Sequence, residues 1–288
     1  MFNIISSSLN KAQQQFANAL NLPVAEARIE AQVLLRFLLG DVSRAWLITH
    51  EEDALQPNIH EAYRALINRR VNGEPIAYIL GYREFYGLKL KVTPATLIPR
   101  PDTETLVDAA LAKIPLGKNL NICDLGTGSG AIALGIAKHR PQAHVTALDA
   151  SQDALDIAIE NAQNLNFPNV KFILSDWFSA LINEKFDVIV SNPPYIEADD
   201  AHLKQGDLRF EPISALASGA DGLDAIRHII KDAPPHLNPH GWLMLEHGYH
   251  QASKVAALLK QAGFSDISHL IDLSGIDRVT IGRFQVGA

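Results

Sequence analysis

"NICDLGTGSGAIALGIAKHR", residues 121–140, decides the fold. A short apolar run ends in Asp124, glycines alternate at Gly126, Gly128 and Gly130, and an alanine-rich helical stretch begins beside them. A strand that passes through glycines straight into a helix is the opening crossover of a parallel α/β sheet, and such sheets bind ligands at the carboxyl ends of their strands. Glycine in that turn adopts positive φ and lets the backbone approach a ligand without a Cβ clash. The spacing is not the dinucleotide fingerprint G-x-G-x-x-G, because the third glycine arrives one residue early. No Lys-Ser/Thr pair follows, so the loop is not a nucleotide-triphosphate P-loop either.

Downstream the alternation continues. Further strands are expected at "AHVTALD", "VKFILSD", "FDVIVSN", "GWLMLEHG", "ISHLIDLS" and "DRVTIGRF". Helical stretches such as "SQDALDIAIENAQNL" and "HQASKVAALLKQAG" lie between them. Short apolar strands with crossover helices predict a mainly parallel seven-stranded sheet covered on both faces. Only a few turn residues separate the final two strands, so the last strand is expected to be antiparallel. Upstream, "SLNKAQQQFANAL" and "VAEARIEAQVLLRFLLG" carry apolar residues at helical spacing, with Pro23 near the start of the second and Gly40 past its end. "NIHEAYRALINRRVNG" follows as a further helix, and "IAYILGYREFYGLKLKV" turns to the alternation of a β-hairpin. The expected organisation is a helical domain over 1–80, a hairpin linker over 81–101 and an α/β domain over 102–288.

With 288 residues the chain has room for two domains, and 47% hydrophobic and 20% charged residues mark an ordinary globular composition. No apolar run approaches the roughly 20 residues that span a bilayer. The start "MFNIISSSLNKAQQQ" lacks a basic leader with an apolar stretch, and Cys123 stands alone. A cytoplasmic protein without membrane attachment is expected. The net charge is −7, and the first ninety residues are balanced between acids and bases. A reader of duplex DNA is expected to carry a basic face, so direct nucleic-acid binding is not expected.

Candidate site residues gather at the strand ends. Asp149 closes the second strand, where a carboxylate accepts hydrogen bonds from both hydroxyls of a ribose; its plainer role is N-cap of the next helix, which Ser151 also suits. Asp176 after the third strand can accept from an adenine amino group, and Trp177 can lie on the ring, although tryptophan is more often core. The pattern D-x-G-x-G-x-G resembles the S-adenosylmethionine site of Rossmann-like methyltransferases. After the fourth strand comes "SNPPYIEADD", residues 191–200. Pro193 and Pro194 stiffen the backbone, where a simple turn would use Gly, Asn or Asp. An amide or aromatic NH2 is a poor nucleophile because its lone pair is delocalised. Two acceptors that hold it, the Asn192 carbonyl and a backbone carbonyl near Pro193, turn its remaining lone-pair density towards a methyl donor. Tyr195 offers a flat wall to a planar group. Alignment and electrostatic positioning carry such a transfer, so neither a strong base nor a metal is implied.

The full ordered set, helical start, "GYREFYG", "LIPRPDTE", "DLGTGSGAIAL" and "SNPPYI", resembles the PrmC/HemK family over nearly the whole chain. Members methylate the side-chain nitrogen of the glutamine in the Gly-Gly-Gln motif of peptide chain release factors, with S-adenosyl-L-methionine as cofactor. The resemblance implies cofactor contacts at Gly126, Thr127, Gly128, Ser129, Gly130, Asp149, Trp177 and Asn192. It implies substrate contacts at Asn192, Pro193, Pro194 and Tyr195, with Asn192, Pro193 and Tyr195 at the reacting centre, and partner recognition by the helical domain. It also draws the 85–104 segment towards the pocket, with Phe85 or Arg100 as wall. Two other readings use the same motifs: a DNA adenine N6-methyltransferase, and a cofactor-binding module without activity. The first lacks a basic recognition region, and the second has no need of acceptors aimed at a nucleophile.

His236, His240, His247 and His250 cluster in sequence, but Pro239 and Gly241 break any common helical face and the spacing fits no zinc pattern. Cys123 reads as a small core residue. The acids of "IEADDAHLKQGDLRFEP" read as a solvated loop or a lid over the substrate.

Overall fold

The computed structural model describes residues 4–285. The chain clusters into two units: one runs to Gly81 and takes in Lys204–Phe210, the other comprises Tyr82–Leu203 and the chain from Glu211 onward.

The first unit holds α1 (Ile5–Leu20), α2 (Val24–Leu38), α3 (Arg44–Thr49), α4 (Pro57–Val71) and α5 (Ile76–Leu80). In α1, Ile5, Ser8, Ala12 and Phe16 recur at three- and four-residue steps and all are buried. Ala27, Ala31, Leu34 and Leu35 do the same for α2, and Tyr63, Ile67 and Arg70 for α4. Arg70 is a buried cation, satisfied by both oxygens of Glu30 at 2.8 Å and by Asp207 Oδ1 at 2.9 Å. Burial still raises the Glu30 carboxyl, against the Arg70 guanidinium that lowers it. Asp207 therefore is not part of a free solvated loop, as its surroundings in sequence suggest. The buried Tyr63 hydroxyl donates to the Ala31 carbonyl at 2.9 Å. Tyr63→Phe is expected to cost about 1 kcal/mol of stability, read as a lower denaturant midpoint of the intact protein; an unchanged midpoint means the hydroxyl adds nothing.

One difference from expectation falls here. Ile76–Leu80 is a helix, not the first arm of the hairpin, and ends at Gly81 with φ 79°. A short apolar run does not separate helix from strand by period alone. The hairpin itself, β1 (Tyr82–Phe85) with β2 (Leu88–Lys91), turns at Tyr86 and Gly87, both at positive φ, as a type I′ turn requires.

A 3₁₀ turn at Pro101–Thr103 leads into α6 (Glu104–Lys113). Then follow β3 (Asn121–Leu125), α7 (Ala131–His139), β4 (His144–Asp149), α8 (Gln152–Asn164), β5 (Val170–Leu174), β6 (Phe186–Ser191), α9 (Asp224–Asp232), β7 (Leu237–Glu246), α10 (Ala252–Gln261), β8 (Phe264–Ile271) and β9 (Asp277–Phe284). The sheet order is β5-β4-β3-β6-β7-β9-β8. Pairs from β5 to β7 are parallel, while β9 runs antiparallel between β7 and β8. The fold class matches the sequence expectation. Successive strand residues serve opposite cores: Ile122 and Val145 pack with Leu106, Val107 and Leu134, and Cys123 and Leu148 pack with Ile226, Ile229 and Val255. Burial on both faces is why these strands read as continuous apolar runs. Burial also pushes the Cys123 thiol far up, leaving it an inert core side chain.

The winding reverses between β3 and β6. β4 and β5 extend one way and β6 and β7 the other, so the crevice beyond their carboxyl ends is the natural ligand position.

Candidate active site

A cavity of about 470 Å³ opens at that reversal. Gly126 and Gly128 line it from the loop after β3, Asp149 from the end of β4, Asp176 and Trp177 after β5, and Asn192, Pro193 and Pro194 after β6. Residues 95–97, within the segment that the family resemblance drew towards the pocket, also line it, as do Pro212, at the end of the loop read as a possible lid, Ser214 and Ala215.

The glycine loop is held by backbone bonds. Thr127 N donates to the Leu148 carbonyl at 2.8 Å, and Gly128 N donates to Asp149 Oδ2 at 2.8 Å. Asp149 Oδ1 accepts from Ser151 N at 2.9 Å. Capping of α8 falls to Ser151, whose hydroxyl accepts from Ala154 N, so the Asp149 carboxylate is left to the loop and the cavity. Burial raises the Asp149 carboxyl, against the Ser151, Gly128 and Ala150 N–H groups that hold it ionised. Gly128 has φ 56° and nothing within 4 Å of where a Cβ would stand, which leaves open space beside the backbone. Gly130 serves packing instead: a Cβ there would meet Leu134 Cδ1 at 3.2 Å and Ala158 Cβ at 3.3 Å. Gly130 lines neither this cavity nor the adjoining one of about 40 Å³, which Thr127 and Ser129 border.

Asp124 sits behind the loop, fully buried. Its Oδ2 accepts from the Thr127 hydroxyl at 2.7 Å and from Ala133 N at 3.1 Å, while Oδ1 has no partner among the described residues. Burial pushes its carboxyl up to about 7, against the Thr127 and Ala133 donors, and the Asp149 charge adds to the rise.

Asn192 is oriented by a residue that sequence reading passed over. Its Nδ2 donates to Thr103 Oγ1 at 3.2 Å, which leaves the amide oxygen as the free acceptor. The preceding Ser191 hydroxyl donates to the Leu125 carbonyl at 2.8 Å and ties the end of β6 to β3. Tyr195 is absent from the cavity lining; its ring packs on the core and its hydroxyl donates to Glu246 Oε1 at 3.2 Å. Phe85 is buried in the core, and Arg100 pairs with Glu211, so neither walls the cavity. Glu211, far from being a solvated loop acid, has no exposed side-chain surface and also accepts from Ile98 N at 3.0 Å. The histidines scatter: His236 stacks on Phe178, while His247 is buried between the Gly248 carbonyl and Thr280 Oγ1. No group of metal-binding side chains gathers among the described residues.

The lining contains no Lys, Arg or His. Phosphates would find no countercharge there, whereas two carboxylates, a tryptophan and glycine backbone suit a nucleoside that carries a positive charge. S-adenosylmethionine, with its ribose diol, adenine and sulfonium, fits that donor set. A sheet of this order with one antiparallel strand and such a cavity at its reversal defines an S-adenosylmethionine-dependent methyltransferase. Residues 116–267 match the family described as a methyltransferase domain, and residues 8–81 match the PrmC N-terminal domain. A release factor glutamine methyltransferase of Xylella fastidiosa is 51% identical over 256 residues, 89% of this chain and 93% of that protein. The one from Escherichia coli is 45% identical over 257 residues, 89% and 92% of the two chains. In fold alone, a methyltransferase crystal structure from Pyrococcus furiosus matches with a TM-score of 0.54 at 18% identity, covering 76% of this chain and 98% of that one. The chain belongs to the release factor glutamine methyltransferase (PrmC) family, as the sequence resemblance implied.

Proposed function

We propose that this protein methylates the side-chain amide nitrogen of the glutamine in the Gly-Gly-Gln motif of peptide chain release factors, in the service of translation termination. The observation that carries the reading is Asn192: it lines the cavity and its NH2 donates to Thr103, which leaves its amide oxygen available as an acceptor. When bound, S-adenosylmethionine supplies an electrophilic methyl group on sulfur. Gly126, Gly128, Asp149 and Trp177 bind its nucleoside, with Asp149 accepting from the ribose hydroxyls. Asn192 Oδ1 and the Pro193 carbonyl accept hydrogen bonds from the glutamine NH2 and turn its lone-pair density towards the methyl group. The bound cofactor would supply the methyl group to the nitrogen that Asn192 and Pro193 hold, with the displaced N–H proton passing to solvent. Proximity and alignment are the main contributions, since no strong base stands at the cavity.

The helical unit, which holds none of the cavity residues, is the natural place for recognition of the intact release factor. A reducing, cytoplasmic setting suits the lone Cys123, and no helix among the described residues is long and apolar enough to cross a membrane. The test is mass spectrometry of a release factor incubated with protein and cofactor. One added methyl on the glutamine, and none when that glutamine is replaced by glutamate, is expected. Methyl groups on DNA adenine and never on glutamine would overturn the reading.

A further inference from the structure

Tyr195 is gripped at both ends, by Glu246, the last residue of β7, and by Gln251, at the start of α10. At the side-chain end its hydroxyl donates to Glu246 Oε1. At the main-chain end Gln251 Nε2 donates to the Tyr195 carbonyl at 3.1 Å. Gln251 is itself well anchored: it is fully buried, its Oε1 accepts from Gly248 N at 2.8 Å, and Nε2 also donates to the Asp221 carbonyl at 3.3 Å. The fit leaves no slack. A Cβ on Gly222 would stand 2.2 Å from the Tyr195 oxygen and 2.8 Å from Gln251 Nε2, and Gly222 holds φ 70° besides.

Glu246 is a costly choice for this position. It is 1% exposed, and its Oε2 has no hydrogen-bond partner among the described residues. Burial pushes its carboxyl up to about 7, against Thr103, Arg278 and the Tyr195 hydroxyl, while Asp102 adds to the rise. Arg278 is itself shared with Asp272 and Asp102. An apolar side chain would fill the same space without an orphaned oxygen but would leave the Tyr195 hydroxyl without its acceptor, so packing alone does not account for a polar residue here. Neither Glu246 nor Gln251 touches the cavity.

We propose that Glu246 and Gln251 are positioning residues for methyl transfer: by holding the Tyr195 hydroxyl and carbonyl they fix the backbone of residues 192–195, and with it the direction of the Asn192 and Pro193 acceptors. The inference rests on the reading of that segment as the orienting element for the glutamine amide. The residues act through Tyr195, so their effect belongs in kcat and not in cofactor affinity.

The experiment uses the full chain, an intact release factor and S-adenosylmethionine. Glu246→Ala is expected to lower kcat about tenfold, short of the hundredfold that a full 1 Å misplacement costs, with KM and calorimetric cofactor affinity unchanged. Glu246→Gln, which keeps an acceptor oxygen, should restore most of the rate. In a Tyr195→Phe background the Glu246→Ala change should have no further effect, because the hydroxyl through which it acts is gone. Should Glu246→Ala fail to fold, Tyr195→Phe alone must reproduce the loss of kcat. Wild-type kcat in folded Glu246→Ala, or full additivity with Tyr195→Phe, would overturn the proposal while leaving the glutamine reading intact. A wild-type protein that never methylates glutamine would instead overturn the underlying reading and this inference with it.

Discussion

Asn192→Ala is expected to lower turnover on the release factor by about 10²–10³, the usual cost of one preorganised polar contact in a transition state. The geometry sharpens the expectation. Thr103 fixes the rotamer of Asn192 through its NH2, so the acceptor oxygen is aimed before the substrate arrives. Alanine removes the acceptor and also leaves the Thr103 hydroxyl without that partner. Cofactor affinity should change much less, since Asp149, Trp177 and the glycine loop remain. Asn192→Asp keeps acceptor oxygens at similar size, and Thr103 can donate to it in place of accepting. Aspartate should therefore retain more activity than alanine, measured as methylglutamine formed per minute. Near wild-type turnover for Asn192→Ala would reduce residues 191–195 to a stiff turn.

Asp149→Ala should weaken S-adenosylmethionine binding about ten- to hundredfold, corresponding to roughly 1.5–3 kcal/mol for hydrogen bonds to a charged acceptor. Two losses combine. The ribose loses its acceptor, and the Gly128 and Ser151 N–H groups lose theirs, so the loop is free to leave its conformation. Asp149→Asn separates the two, because one amide oxygen can still serve a single N–H while the amide NH2 repels the other. An intermediate affinity is expected for it. Unchanged affinity of Asp149→Ala by calorimetry would remove the ribose assignment.

The sheet was legible because each of its strands is an apolar run closed by a turn signal, and because glycines at alternate positions have few structural explanations. Asp149, Trp177 and residues 192–194 were legible for a related reason: each stands at or within a few residues of a strand's carboxyl end, where a parallel sheet binds its ligands. Thr103 was not, because it meets Asn192 across 89 positions and resembles any threonine at a helix start. Glu246, at the end of β7, and Gln251, at the start of α10, lay hidden in the same way. Tyr195 was placed at the cavity wall by its chemistry alone, and only packing shows its hydroxyl turned inward. Glu211 and Asp207 looked like solvated acids because a sequence window cannot show the Arg100 and Arg70 guanidinium groups that meet them.

The return of Lys204–Phe210 to the helical unit bears on how proteins of this kind can be cut and recombined. The helical unit is not a detachable prefix but a discontinuous module, interrupted in sequence by much of the other unit. A shortened chain starting at Tyr82 keeps this segment yet discards Arg70, the partner of Asp207. A chimera that exchanges only residues up to Gly81 between two relatives confronts a buried guanidinium with a foreign segment. One that exchanges Lys204–Phe210 as well transplants the module whole. Inheritance of the helical unit thus travels on two pieces of the gene.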